Sequence, residues 1–458
     1  MSANNPGFRR TPLLFILLLI TLVACTQSSS STKTTAFSAN PVIRWIQQHA
    51  IPLRTTTPGG SSADLAPLKQ IVGTASIVGL GEETHGTHEF IEMKARLVEF
   101  LISDMGFTTL VMENDWGSSQ LLDTYINGGP GDLKTIMTET LFGSWQTREY
   151  EQLFAWLRAY NADPVHTVKI HFLGMDMQAF DQDDFDAVEN YVQKVDPHQS
   201  ALVDNLYKPL IASGVGSASS YYRLAASTKQ QYLVQAQQVY DLLQSRQQRY
   251  SNASSPRQFA LALQNARVIV ETATYLNATT SAEFLAHYYQ RDTFMAENVE
   301  WIYQHDAGVH PELLVWAHDV HIANNTAYET QDGRNMGGEL RAFYHQSYLP
   351  IGTTLSQGSY RTYGIYPSNR VQAIAPPASN TCNYTLGQAG LPLYMLDLRT
   401  MPAGAVRNWA QSSSIFLLYG LGGQDLSTPA RLSQWFDVIV HIQNTTPSEY
   451  FYASPPSR

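Results

Sequence analysis

The chain has 458 residues, 44% of them hydrophobic and 15% charged, and a net charge of −10. That much apolar material supports a sizeable core and excludes a disordered chain, and the acidic balance argues against a nucleic-acid partner, which calls for a basic face. Only two cysteines are present, Cys25 and Cys382, which excludes a disulfide framework and thiolate metal sites of the CxxC kind.

The N-terminus reads as a lipoprotein signal peptide over residues 1–25. Arg9 and Arg10 form a positive n-region, Leu13 to Ile20 an apolar h-region, and Leu22-Val23-Ala24-Cys25 a lipobox. The apolar stretch is too short to span a bilayer core, which needs about 20 residues. A lipid on Cys25 anchors the chain to a membrane surface without crossing it, so the protein is expected to be exported and held on the bacterial cell membrane or outer membrane. Residues 26–40, rich in Ser and Thr, form a flexible tether. The rest, 41–455, is expected to be a single domain.

Within that domain four short apolar runs are predicted as strands buried on both faces: Ala75–Leu80, Thr108–Met112, Val168–Leu173 and Leu313–Trp316. Helical patterns follow the first three. From His88 to Ser103, Phe90, Met93, Leu97, Phe100 and Leu101 recur at helical spacing. Strand and helix in alternation predict an α/β fold with a central, mostly parallel sheet flanked by helices. Between about 181 and 306 the chain is rich in Gln, Ala, Leu and Tyr and carries no convincing strand. It is expected to be a large helical insertion, with long helices over Tyr232–Tyr250 and Arg257–Leu276. Later strands are expected at Leu393–Leu398, Ile415–Tyr419 and Phe436–Ile442, and an irregular loop between Tyr360 and Gln388.

Each of the four early strands ends in a carboxylate or an imidazole. Glu82 and His85 follow the first, Glu113 the second, Asp176 the third, and His318 and His321 the fourth. Ligand sites of open parallel sheets lie beyond the carboxyl ends of the strands, so these side chains should converge. One such residue alone is more often a cap or a turn residue; four strands in a row ending this way point to a site. A carboxylate beside an imidazole raises its basicity and fixes its tautomer, which suits His85 to activating water. Lys94 and Arg96, on the next helix, are candidates to face the substrate or steady an oxyanion. As the alternative, Glu82, His85, His318 and His321 are all plausible ligands for zinc, iron or manganese, although no H-E-x-x-H motif is present. There is no G-x-S-x-G elbow and no phosphate loop of the G-x-x-x-x-G-K-[ST] kind, so serine nucleophiles and nucleotide phosphates are disfavoured.

The segment Gly79-Leu80-Gly81-Glu82-Glu83-Thr84-His85-Gly86-Thr87-His88-Glu89-Phe90, followed by Met93-Lys94-Ala95-Arg96-Leu97, resembles the erythromycin esterase family. So do Leu110–Glu113, Arg291-Asp292 with Met295–Asn298, Trp316–His321 against the family's A-H-N-x-H motif, and Met336-Gly337-Gly338. The matches run in order from Ile77 to about Phe343. The resemblance implies a hydrolase of macrolactone esters in which a histidine acts on water without an obligatory metal; no cofactor is expected, and a divalent metal is the alternative. By position His85 is that base, Glu82 and Glu113 its carboxylate neighbours, and Lys94 the stand-in for a family arginine. His318 and His321 complete the pocket. From the strand-end cluster itself, Glu113 and Asp176 are expected to shape the pocket, and His318, His321 and Arg291 to bind or polarise the substrate. Asp319 stands where the motif has Asn, which adds negative charge and favours a cation. The expected partner is a small-molecule ester or lactone. Two readings compete with this one: a metal-dependent hydrolase using the same cluster, and a haem- or ligand-binding lipoprotein without turnover.

Overall fold

Three of the apolar runs form strands near their expected places, and they lie side by side at the centre of one sheet. A computed structural model describes residues 37–216, 218–305, 312–324, 335–362, 370–412, 414–421 and 424–451. The expected signal peptide, the expected lipid-bearing Cys25 and most of the expected tether lie outside the described residues. Among the described residues no helix is long and apolar enough to cross a membrane.

In chain order the strands are β1 (Ile51–Pro52), β2 (Ile77–Leu80), β3 (Thr109–Asp115), β4 (His171–Asp176), β5 (Leu313–Trp316), β6 (Tyr348–Arg361), β7 (Val371–Ile374), β8 (Leu393–Asp397), β9 (Ser414–Leu421), β10 (Gln424–Ala430) and β11 (Val438–Thr445). The main sheet runs β1-β8-β11-β6-β2-β5-β3-β4, with β7 on β6. From β11 to β4 every neighbouring pair is parallel, while β1, β8 and β7 pair antiparallel. The sheet is therefore mixed but mostly parallel. Its alternate side chains feed two cores. Val78, Leu80, Leu314 and Trp316 point into one, and Ile77, Leu313 and Val315 into the other.

The strand reading needs four corrections. β4 begins three residues later than expected, at His171. β6 was not foreseen, although it is the longest strand and pairs with both β2 and β11. The expected Ile415–Tyr419 strand exists as part of β9, but it pairs only with β10 in a separate two-stranded sheet. The Tyr360–Gln388 stretch is also more regular than expected, since it holds β7 and the helix Cys382–Gly387. Residues 363–369 of that stretch lie outside the described residues.

Between β4 and β5 the described residues form seven helices from Gln182 to His305 and no strand. They pack around a third core that includes Phe185, Tyr207, Val239, Leu243, Tyr250 and Ile269. The expected single helix over Tyr232–Tyr250 is broken at Arg246 into Ala226–Ser245 and Gln247–Ala253. The last helix, Ser281–His305, leads back toward β5 and presses Arg291 and Asp292 into the interior.

Candidate active site

Because β2, β3, β4 and β5 run parallel, their carboxyl ends share one edge of the sheet, and the predicted side chains meet there. After β2 the chain turns through Gly81, where a Cβ atom would lie 2.0 Å from Asp319 Oδ1. Only glycine lets the β2 and β5 loops approach this closely. Asp319 N–H donates to the Glu82 carbonyl at 2.9 Å across that contact. The loop ends at Thr87, which precedes the helix His88–Met105.

His85 Nδ1 lies 2.9 Å from Glu82 Oε1, and its ring meets those of Trp145 and His318 edge to face at 4.7 and 4.9 Å. A carboxylate only accepts, so Nδ1 carries the proton and Nε2 the lone pair. Among the described residues no group bonds Nε2, and the side chain is 20% exposed. Burial holds the ring down to about 4, so it is uncharged at neutral pH, with the field of Glu113 opposing. The Glu82 carboxylate works in the same sense as Glu113 and would stabilise the imidazolium once a proton arrives.

The other two imidazoles have both nitrogens engaged. His318 Nε2 donates to the Glu83 carbonyl at 3.2 Å, and its Nδ1 accepts from Val320 N–H at 3.3 Å. Burial, reinforced by His85, keeps it well below the usual histidine range. His321 Nδ1 lies 2.6 Å from Asp292 Oδ1, and its Nε2 lies 3.4 Å from Glu113 Oε1. Burial alone would lower His321, but the Asp292 and Glu113 carboxylates override it and push the ring up to about 10. His321 is thus a cation at neutral pH.

Glu113 ties these groups together. One oxygen accepts from Arg291 Nη2 at 2.9 Å, and the other from His318 N–H at 3.0 Å. Burial would raise its carboxyl; His321 and Arg291 hold it well below the usual range instead. Arg291 also grips Asp176 with two nitrogens, at 2.8 and 2.5 Å, in the fork geometry that guanidinium and carboxylate share.

Lys94 and Arg96 separate. They are two residues apart on one helix, hence roughly 200° apart around it, and cannot both face the sheet edge. Lys94 points inward to Glu82 Oε2. Arg96, expected as a candidate to face the substrate, instead binds Asp64 and the carbonyls of Thr55 and Ser61 at 3.0 and 2.9 Å. Sequence reasoning missed three members of the site. Asp292 adjoins the Arg291 that was singled out. Glu83 accepts from Leu355 N–H at 2.7 Å and so anchors β6. Trp145 donates to the Glu113 carbonyl at 3.0 Å while covering His85; nothing local in its sequence signals that.

Among the described residues no group of three or more His, Cys, Asp or Glu side chains is placed to hold a metal ion. The lone pairs of Glu82, His85, His318 and His321 do not converge, because His318 and His321 are turned to the partners named above. A cavity of about 350 Å³ is lined by Asp115, at the end of β3, and by Ser118, Glu139, Phe142, Phe180 and Asp181. A larger one, about 600 Å³, lies among the insertion helices near Tyr240, Trp301 and His305.

A mostly parallel α/β sheet thus carries a neutral, carboxylate-backed imidazole beside buried cations at its strand ends, an arrangement suited to acid–base chemistry. A family model for erythromycin esterase matches residues 102–445, and the chain belongs to the erythromycin esterase family. A putative hydrolase of Bacillus subtilis is 22% identical over 427 residues, covering 88% of this chain and 91% of its own. Erythromycin esterase type II of Escherichia coli is 22% identical over 433 residues, covering 89% and 99%. Among solved structures, a Bacillus cereus protein superposes with a TM-score of 0.82 at 30% identity, covering 91% of this chain and all of its own. The open form of a histidine mutant of the erythromycin esterase EreC superposes with a TM-score of 0.69 at 17% identity, covering 86% and 98%, and is similar in fold. Membership of the family supports a hydrolase-type function.

Proposed function

We propose that this protein hydrolyses a carboxylic ester or lactone with water activated by His85. The observation that carries the reading is the asymmetry of the three histidines: only the His85 ring has a nitrogen left open among the described residues while its other nitrogen rests on a carboxylate. Nε2 takes a proton from water, and the water oxygen forms a bond to the ester carbonyl carbon. The oxyanion so formed develops beside the His321 and Arg291 charges, whose fields reach His85. Collapse breaks the bond to the leaving oxygen, and the proton on His85 passes to that oxygen. The products are an acid and an alcohol, or a hydroxy acid when the substrate is a lactone. Glu82 steadies the imidazolium between the two transfers.

The test is a panel of esters and lactones assayed with wild-type protein and with His85→Asn. General-base catalysis is worth about 10²–10⁴-fold, so the variant should lose that much in kcat while unfolding at the same temperature. Retained turnover in the variant would remove His85 from the mechanism.

A further inference from the structure

Lys94 carries a role that its place on the helix does not advertise. Its ammonium is 1% exposed. It bonds Glu82 Oε2, donates to the Ala317 carbonyl at 3.2 Å, and sits 4.2 Å from the centre of the Trp316 ring. Two of its three donors are taken by Glu82 and the Ala317 carbonyl, and the Trp316 ring covers the ammonium, so with the side chain 1% exposed it is shut off from the open edge of the site. Glu82, in turn, has one oxygen on Lys94 and the other on His85 Nδ1, and is 2% exposed. The three residues form a line from the interior to the open edge of the site.

We infer that Lys94 is a positioning residue: by keeping Glu82 a charged carboxylate it fixes the His85 ring with its proton on Nδ1 and its lone pair on Nε2. The physics follows from burial. A carboxylate withdrawn from water and deprived of its cation takes up a proton rather than stay charged. A protonated Glu82 becomes a donor. Donation to Nδ1 moves the ring proton to Nε2, and the nitrogen that faces the open edge can no longer accept from water. Burial pushes the Lys94 ammonium well below the usual lysine range; the fields of Asp319 and Glu113 oppose that, and its bond to the Glu82 carboxylate favours the charged form. Neither Asp319 nor Glu113 bonds the Glu82 carboxylate; Asp319 meets Glu82 only through its own N–H on the Glu82 carbonyl. Glu113 is already engaged by Arg291, and Asp319 Oδ1 accepts from Thr353 N–H at 3.2 Å. The inference rests on His85 being the base, but it makes a statement about the ring that needs no substrate.

The experiment is ¹⁵N NMR of the histidine rings in the purified protein, with the His85 signals identified by their loss in His85→Gln. Wild-type protein should show a protonated Nδ1 and a bare Nε2. Lys94→Met should lose that preference, and Lys94→Arg should keep it. In an ester assay Lys94→Met should lose about 10²-fold or more in kcat with KM unchanged, and Lys94→Arg should restore it. A wild-type ring with its proton on Nε2 overturns the inference without any variant. So does a Lys94→Met protein with wild-type ring signals, or one whose defect is in KM alone. If the rings behave as stated and no ester is turned over, the esterase reading fails and this inference stands.

Discussion

At the scale of single residues, His85 and His321 are pushed in opposite directions within one site. His85 is buried with an open nitrogen and held down to about 4; His321 is buried between two carboxylates and pushed up to about 10. Pairs of groups whose pKa values are driven apart divide acid and base roles between them. The active form has His85 neutral and His321 charged. Hydrolysis should therefore fail as the pH falls through about 4 and again as it rises through about 10, with a plateau across neutrality. A kcat/KM profile with a single midpoint near an ordinary histidine value, about 6.5, would contradict the assignment. The His321 shift also acts on stability. The folded value lies above the unfolded one, so the contribution is complete below about pH 6.5 and lost as the pH rises through about 10. Urea midpoints measured at both ends of that window should fall accordingly.

At the scale of elements, the loop carrying His85 is held from both sides by backbone. The Gly86 carbonyl accepts from Arg361 N–H at 2.8 Å and Ser448 N–H at 3.0 Å, so β6 and the segment after β11 both clamp it. A Cβ on Gly86 would lie 1.7 Å from the Arg361 carbonyl oxygen, a backbone atom that cannot swing away. Gly86→Ala should displace the loop, lower kcat by at least about tenfold and cost roughly 1–3 kcal/mol. Kinetics and thermal unfolding check it; a variant with wild-type kcat would show that the clamp does not position His85.

The same elements show what the sequence makes visible. β2 and β5 read clearly because strands buried on both faces are continuous apolar runs. β6 did not, because Pro350, Gly352, Thr353, Thr354 and Ser356 interrupt the run. Those polar side chains are nonetheless buried. Thr353 Oγ1 accepts from Glu83 N–H at 3.0 Å, while Thr354 and Ser356 bond the two nitrogens of His441 at 2.9 and 3.1 Å. Their partners lie more than eighty positions away, so no local pattern announces them. The site divides the same way. Residue types at strand ends were readable, because parallel strands must bring their ends to one edge. The pairing of His321 with Asp292 and the opposite aims of Lys94 and Arg96 depend on how helices seat against the sheet.

At the scale of the whole molecule, the helical insertion has its own core yet is bound to the sheet through the site. Arg291 joins its last helix to β3 and β4 through Glu113 and Asp176, all three side chains being nearly unexposed. Removing a buried cation leaves its carboxylates uncompensated, at a cost of about 3–5 kcal/mol. Arg291→Met should lose that much by urea unfolding as well as its activity. A loss below about 1 kcal/mol would mean that the insertion and the sheet are joined elsewhere.

The central claim is that this fold activates water with an imidazole and a carboxylate rather than through a metal. It is tested most directly by measuring the metal content of the purified protein and its hydrolysis of an ester substrate before and after chelation. The account predicts that turnover persists in metal-free protein and depends on His85. Stoichiometric metal whose removal abolishes turnover, and whose return restores it, would contradict the account and make the strand-end residues a metal centre.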